Sequence, residues 1–240
     1  MTATIGTLLG GKLTYRQLTT GHRSGIEPVL LAATVPARPG DTVIEAGTGA
    51  GAGLLCLGHR VPGLRGLGIE RDPALAALAA ANFRANAQHG LAAIAADIGH
   101  LPLQLPCDHG FANPPWRDLT DTASPDGARG RAHRAPPGLL LGWTKAIAAL
   151  LKSGGTLTLI LPAGALDDCL TALHHARCGG VKIMPLWPRS GRAAKLIIVQ
   201  ARKAARGRTS LLPGLILHDE SGFTPQAESL LRAGNGLRLA

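Results

Sequence analysis

Residues 41–60 join a short apolar run, a cluster of glycines and a helical pattern, and this combination constrains the fold most. DTVIEAG (41–47) is rich in apolar and β-branched residues and ends at a glycine, which indicates a buried strand. AGLLCLGHR follows with the apolar spacing of a helix. A strand that turns directly into a helix is half of a β–α–β unit, so a parallel sheet is expected.

The same alternation continues along the chain. GLGIE (66–70) is a second short strand, and Asp72 and Pro73 are suited to the N-cap and first position of the helix that follows it. Five more strand patterns occur at 91–97, 108–113, 156–162, 181–187 and 194–202, and two helical patterns at 139–152 and 165–178. The last two strands are expected to pair antiparallel through the turn PRSGR. These elements predict a Rossmann-like α/β fold with a doubly wound, mostly parallel seven-stranded sheet and an antiparallel edge strand.

The composition favours one globular domain and a polyanionic partner. The 240 residues are 45% hydrophobic, which allows a sizeable core, and we expect a single domain over 1–240, with 1–38 as an N-terminal segment and 39–240 as the core. Lys and Arg outnumber Asp and Glu by 25 to 15, giving a formal net charge of +10. A basic balance of this size favours nucleic acid as a partner, although solubility accounts for it almost as well.

Several classes of protein are disfavoured by the sequence. No apolar run reaches the ~18–20 residues of a membrane span, and no signal peptide is apparent, so we expect a cytoplasmic protein without a membrane partner. The four cysteines lack metal-ligand or disulfide-framework spacing and are interpreted as buried, reduced thiols. No metal is expected, and no obligate protein partner is evident.

The glycine-rich turn EAGTGAG (45–51) indicates a cofactor site. Glycines between a strand and a helix let a ligand approach the backbone at a helix N-terminus. Glu70 closes the next strand, where a carboxylate can accept both hydroxyls of a ribose. Because Gly47, Gly49 and Ala52 also satisfy a dinucleotide-binding pattern, this turn alone leaves NAD open.

The hexapeptide FANPPW (111–116) indicates a site that could hold an amine as the nucleophile. Asn113 precedes two prolines, which fix the backbone and donate no hydrogen bond. No neighbouring N–H group therefore competes for the carbonyl oxygens of this segment. The Asn113 side-chain carbonyl and the Pro114 backbone carbonyl could accept both N–H groups of an exocyclic amine and aim its lone pair at an electrophilic methyl group. Trp116 offers a flat face on which a base could stack.

Together, the glycine turn and the NPPW segment resemble class I S-adenosylmethionine-dependent methyltransferases that modify planar nitrogens. TTGHRSGIEPVLLAATV (19–35) is similar to the segment that precedes the glycine motif in bacterial adenine-N6 methyltransferases acting on valine tRNA. The resemblance runs from about Thr19 to the last helix and covers nearly the whole chain. It departs from the family where Glu45 replaces the more usual Asp and where Trp116 replaces Tyr or Phe.

This resemblance implies S-adenosylmethionine as the cofactor and assigns roles to individual residues. The methionine end of the cofactor is assigned to Glu45, Gly47, Gly49 and Gly51, its ribose to Glu70, its adenine to Asp97 and Ile98, and the segment closing over it to Arg23 and Gly25. The target amine and its ring are assigned to Asn113, Pro114, Pro115 and Trp116.

A run without acidic residues indicates where RNA binds. From Cys169 through His218 there is no Asp or Glu, while nine Lys and Arg accumulate. We expect a patch of Arg189, Arg192, Arg202, Lys203 and Arg206 to hold phosphates beside the mouth of the NPPW pocket.

The sequence therefore predicts an N-methyltransferase acting on adenine N6 in RNA, with tRNA as the expected RNA. A protein-glutamine N5 methyltransferase uses the same N-P-P-aromatic chemistry, and guanine-N2 methylation of ribosomal RNA remains open for the same reason. A catalytically silent RNA-binding protein on the same fold is the alternative from a different class.

Overall fold

The structure is a computed structural model that describes residues 3–19, 25–101, 106–115 and 138–239. Its strands are β1 Ala3–Leu8, β2 Leu13–Leu18, β3 Thr42–Ala46, β4 Arg65–Glu70, β5 Leu91–Ala95, β6 Cys107–Ala112, β7 Leu151–Pro162, β8 Cys178–Trp187, β9 Leu196–Lys203, β10 Ser210–Leu211 and β11 Leu215–Ile216. Its α-helices are α1 Glu27–Thr34, α2 Ala52–Arg60, α3 Pro73–Ala85, α4 Leu139–Leu150, α5 Leu166–His175 and α6 Pro225–Glu228. Short 3₁₀ turns occupy Leu9–Gly11, Ile98–His100 and Ala163–Ala165, and a π-helical turn, Ser229–Ala233, continues α6.

Seven strands form the main sheet in the order β5-β4-β3-β6-β7-β9-β8. β3, β4, β5, β6 and β7 pair in parallel, and β9 pairs antiparallel with both β7 and β8. The two-residue strands β10 and β11 add to the free side of β8, so the described sheet has nine strands. The predicted Rossmann-like class, with a mostly parallel sheet and antiparallel pairing toward one edge, is confirmed.

Two apolar cores cover the faces of this sheet. Side chains alternate along each strand, so Val43 faces one core while its neighbour Ile44 faces the other. The first core contains α1, α2 and apolar residues near the C-terminus, and the second contains residues of α4 and α5. Because β3 to β7 run in parallel, their carboxyl ends lie at one edge of the sheet between these two cores.

The boundaries of the helices follow their local sequences, with one exception. Asp72 caps α3 as predicted, because its carboxylate accepts hydrogen bonds from the amides of Ala74 and Leu75 at 2.8 and 3.4 Å, and Pro73 occupies the first turn. The helix predicted at 139–152 ends at Leu150, before the glycines expected to stop it. Leu151 is 3% exposed and pairs with Cys107 of β6, so strand pairing replaces the last helical positions.

The hairpin β1–β2 has no counterpart among the predicted elements. Its backbone is tied to α3 by two asparagine side chains. Asn82 is fully buried, accepts from the amide of Arg16 at 3.0 Å, and donates to the carbonyls of Arg16 and Ala50 at 2.8 and 2.9 Å. Asn86 bonds the amide and carbonyl of Thr14 at 2.9 and 2.7 Å. Through Asn82, α3 links the hairpin to the glycine turn.

Among the helices that the structure describes, none is long and apolar enough to cross a bilayer.

Candidate active site at the carboxyl edge of the sheet

Strand register places three predicted site residues in a row. Ala46 of β3 lies opposite Ile69 of β4 on one side and opposite Ala112 of β6 on the other. The next residues along these parallel strands are Gly47, Glu70 and Asn113. The start of the glycine turn therefore lies between the ribose-binding candidate and the amine-holding candidate.

The glycine turn presents its backbone in a conformation that other residues rarely adopt. Gly47, Gly49 and Gly51 have φ angles of 66°, 56° and 88°. The amides of Gly47 and Thr48 donate to the Ile69 carbonyl at 2.8 and 3.2 Å, which fixes the turn on the end of β4. A Cβ at Gly49 would meet no atom within 4 Å, so the turn leaves open space there for a ligand.

Glu45 supports this turn from inside. Its side chain is 4% exposed, and its Oε2 accepts from the Thr48 hydroxyl at 2.5 Å and from the Leu54 amide in α2 at 3.0 Å. Burial raises the pKa of the Glu45 carboxyl to about 8. Its assignment to the methionine end of a cofactor stays a prediction, and the contacts that the structure describes connect Glu45 to the turn and the start of α2.

Glu70 is bound to the same turn. Its Oε2 accepts from the Gly49 amide and its Oε1 from the Asp72 amide, both at 2.9 Å. The carboxylate is only partly buried, so lone pairs remain for the hydroxyls of a ribose. Glu70 is thus held in place beside the open space at Gly49.

Asp97 and Ile98 follow the adjacent strand β5. Asp97 is exposed, and its carboxylate accepts from the Gly99 amide at 2.8 Å and lies 3.3 Å from Nδ1 of His100. The hydrogen bond from Gly99 and the contact with His100 lower the pKa of the Asp97 carboxyl, so it is ionised at neutral pH. Ile98 is 6% exposed. An acceptor beside a buried apolar side chain is an arrangement that an adenine ring could use.

The segment predicted to hold the amine is described through Pro115. Asn113 is half-buried, Pro114 is buried and Pro115 is exposed. Trp116 and Arg23 lie outside the described residues, as does most of the 124–138 loop. Gly25 is exposed, and a Cβ there would come within 2.3 Å of Oε2 of Glu27, the end of a flexible side chain that can move aside.

The structure adds Trp143, an aromatic residue that sequence reasoning placed only on a helix. A Cβ at Gly47 would lie 2.5 Å from Cη2 of the Trp143 indole, so the ring of α4 packs directly against the first glycine of the turn. Trp143 is partly buried and packs against the second core, so its ring borders the glycine turn at Gly47. The only signal in the sequence was its rarity, since the chain has three tryptophans.

The basic residues do not form one patch, which corrects the expectation of a single surface beside the pocket. β9 runs antiparallel to β7, with Leu196 opposite Pro162 and Arg202 opposite Thr156. Arg189 and Arg192, in the turn between β8 and β9, therefore lie at the carboxyl edge with Asn113. Arg202, Lys203 and Arg206 lie at the opposite edge, where Lys203 also donates to the carbonyls of Ala149 and Leu151 at 3.3 and 2.6 Å.

The four cysteines are buried, and none of them forms a disulfide. Within the described residues, no cluster of three or more His, Cys, Asp or Glu has the arrangement of a metal site.

Solved structures resemble this chain over most of its length. A predicted O-methyltransferase from Agrobacterium tumefaciens matches with a TM-score of 0.73 and 25% identity, over 88% of this chain and 98% of that one. An S-adenosylmethionine-dependent O-methyltransferase from Thermotoga maritima matches with a TM-score of 0.56 and 18% identity, over 78% of this chain and 68% of that one. This chain has the class I methyltransferase fold.

The methyltransferase fold also occurs in an RNA-modifying neighbour. The 16S rRNA guanine-N2 methyltransferase RsmC of T. thermophilus, solved with S-adenosylmethionine and guanosine, matches with a TM-score of 0.60 and 20% identity. That match covers 84% of this chain and 50% of that one. No protein-family model matches the sequence. No curated protein matches it significantly.

Within the methyltransferase fold, Gly47, Glu70 and Asn113 lie where open α/β sheets bind ligands, outside the carboxyl ends of the strands. The glycine turn and the residues predicted to hold the amine thus lie at one edge of the sheet.

The contact between Gly47 and Trp143 gives a testable prediction. Gly47→Ala adds a methyl group that the indole already excludes, so we expect a loss of stability beyond the ~1–2 kcal/mol of a side chain at positive φ, together with at least ~10-fold weaker S-adenosylmethionine binding. Chemical denaturation and calorimetric titration measure the two effects.

Gly40→Ala is the matched control for this prediction. Gly40 has a φ of 88°, and its Cβ would meet nothing within 4 Å, so this variant carries the backbone strain without the contact. Equal losses of stability and of cofactor affinity in both variants would show that the contact with Trp143 does not matter for the site.

Proposed function

We propose that the protein is an S-adenosylmethionine-dependent N-methyltransferase that methylates the exocyclic N6 amine of adenine in RNA, with tRNA as the substrate. The observation that carries this proposal is the position of Asn113-Pro114-Pro115 one residue beyond β6, directly beside the glycine turn that follows β3. A methyl donor on the turn and an amine on the asparagine and proline carbonyls would be neighbours.

The residues present fit S-adenosylmethionine. The open space at Gly49 gives the backbone a place to meet the cofactor, and Glu70 is fixed beside it by the amides of Gly49 and Asp72. Asp97 and Ile98 follow the next strand, β5, in the position proposed for the adenine. When bound there, the cofactor supplies an electrophilic methyl group on a sulfonium.

The protein's own residues act on the nucleophile. An exocyclic amine attacks poorly because its lone pair is delocalised into the ring. The Asn113 side-chain oxygen and the Pro114 carbonyl would accept its two N–H groups and leave the lone pair directed at the methyl group. Among the described residues, the Asn113 side chain has no hydrogen-bond partner that competes for this role.

No strong base is needed in this scheme. The amine loses a proton after its nitrogen has gained the methyl group, and that proton can pass to solvent or to the Asn113 and Pro114 acceptors.

Charge supports a polyanionic acceptor. The formal net charge is +10, and the structure places Arg189 and Arg192 at the same edge of the sheet as Asn113. Cations at that edge would contact phosphates while one base enters the pocket. The similarity of residues 19–35 to the segment of valine-tRNA methyltransferases favours tRNA among the RNAs.

The test is transfer of labelled methyl from S-adenosylmethionine to total tRNA, ribosomal RNA and a protein extract in parallel. Label in tRNA is the expected result. Label in protein would replace the proposal with glutamine methylation, label in ribosomal RNA would move it to another RNA, and no label anywhere would leave a silent RNA-binding protein.

A further inference from the structure

A second site lies at the carboxyl edge, in the turn between β8 and β9. This pocket of about 540 Å³ is lined by apolar groups from Pro188, Ala193 and Ala194 and by the polar side chains of Arg189, Arg192, Lys195 and His218. We propose that this basic pocket binds a phosphodiester of the RNA strand whose base is methylated. The inference rests on the proposed function and adds a defined phosphate subsite to it.

The pocket has a fixed frame. Pro188 accepts at its carbonyl from the amide of His218 at 3.1 Å, and Nδ1 of the same histidine lies 3.2 Å from that carbonyl. The His218 ring stacks on Phe223, with centroids 4.5 Å apart and planes 27° apart. This stacked pair holds one wall in place, so a ligand would meet a formed surface.

The cations of the pocket are largely available to a ligand. Arg189 donates one guanidinium N–H to the Asp219 carbonyl, which orients the group and leaves its other donors. Arg192 and Lys195 are exposed and have no side-chain hydrogen bond or ion pair to the described part of the chain. A planar guanidinium held beside other cations suits the oxygens of a phosphate.

One acid, Asp219, lies close to Arg189 and offsets part of its charge. The Asp219 carboxylate accepts from the amide and hydroxyl of Ser221 at 2.8 and 2.7 Å and from the Gly222 amide at 3.2 Å. All three bonds go to Oδ1 and hold the carboxylate in its own turn; the hydrogen bonds from Ser221 and Gly222 and the charge of Arg189 lower the pKa of this carboxyl. Three basic residues therefore line the pocket, and one carboxylate in the adjacent turn offsets part of their charge.

The pocket lies within reach of the amine-holding residues. The Ala163 amide, just beyond β7, donates to the Lys195 carbonyl at 2.9 Å, which joins the rim of the pocket to the end of β7. β7 adjoins β6, with Leu159 opposite Ala112. Two to three strand spacings, about 10–14 Å across the sheet, separate the pocket from Asn113, and about three residues, or ~10 Å, separate them along the strands. A nucleotide strand with one base at Asn113 could place a neighbouring phosphate in the pocket.

The test compares two charge-reversal triples with the same change in net charge. The pocket variant is Arg189→Glu, Arg192→Glu and Lys195→Glu, and the control is Arg202→Glu, Arg206→Glu and Arg208→Glu at the opposite edge. All six residues are exposed, so both variants should fold, which circular dichroism and thermal melting would verify. Binding of a short fluorescein-labelled oligoribonucleotide is followed by anisotropy over a range of salt concentrations.

We expect the pocket triple to weaken binding at low salt by at least ~10-fold and to reduce the slope of log K against log salt by about 0.7, the contribution of one phosphate contact on a single strand. The control triple should keep most of the wild-type slope. Equal losses in the two triples, or an unchanged slope in the pocket triple, would overturn the proposal. Displacement of the oligoribonucleotide by AMP at comparable concentrations would also overturn it, since the pocket would then select a free nucleotide.

Failure of this proposal can be told apart from failure of the proposed function. If the wild-type protein methylates RNA and the pocket triple matches it in KM, the phosphate subsite is wrong and the methyltransferase stands. If the wild-type protein transfers no methyl group while only the pocket triple loses RNA binding, the subsite stands and the proposed reaction is wrong.

Discussion

Replacing Asn113 with alanine should reduce methyl transfer by about 10²–10³-fold in kcat, because one of the two acceptors that orient the amine is lost. S-adenosylmethionine binding should remain unchanged, since the side chain of Asn113 makes no hydrogen bond to the described parts of the glycine turn or Glu70. Single-turnover transfer of labelled methyl and calorimetric titration of the cofactor measure the two quantities separately.

Asn113→Asp sharpens this prediction. A carboxylate oxygen still accepts an N–H, so this variant should recover at least ~10-fold of the activity lost in Asn113→Ala. If Asn113→Ala keeps nearly wild-type rates, or if both variants lose cofactor binding, the side chain does not hold the amine.

Glu45 should make the stability of the cofactor-free protein depend on pH. Its pKa is about 8 in the fold and 4.5 ordinarily, so the folded protein retains a proton that the unfolded chain has released between these values. The free energy of unfolding should therefore contain a contribution that is complete below 4.5 and is lost as pH rises through 8. Equilibrium denaturation at a series of pH values measures it.

The variant Glu45→Gln isolates this contribution. The amide is neutral at every pH and still offers an oxygen to the Leu54 amide, so its unfolding free energy should exceed that of the wild type above pH 8 by a few kcal/mol, on the order of 3. The two proteins should differ little near the ordinary pKa of glutamate. If the free energies of unfolding of the two proteins change in parallel with pH, the pKa of Glu45 is not raised in the folded protein.

Local sequence predicts the elements that build the site. The spacing of apolar residues and the glycines of the turn predict the β3-turn-α2 unit. The cap at Asp72 depends only on residues adjacent in sequence. The row of Gly47, Glu70 and Asn113 follows from the rule that parallel strands end at one edge. Each of these inferences needs only short-range pattern and parallel pairing.

Features that depend on tertiary position were missed. The contact of Trp143 with Gly47 depends on how α4 is rotated over the sheet, which the sequence around it does not specify. The hairpin β1–β2 depends on Asn82 and Asn86 in α3, far along the chain. The nine cations of the acid-free run looked like one surface, and only the antiparallel direction of β9 separates Arg202 from Arg189.

The most direct measurement is mass spectrometry of the nucleosides released from tRNA after incubation with the wild-type protein and S-adenosylmethionine carrying a deuterated methyl group. We predict N6-methyladenosine with the deuterated methyl, and at least ~100-fold slower formation of it with Asn113→Ala. A deuterated methyl on guanine N2, on a ribose oxygen or on no nucleoside at all would contradict the assignment of Asn113 and Pro114 to the adenine amine.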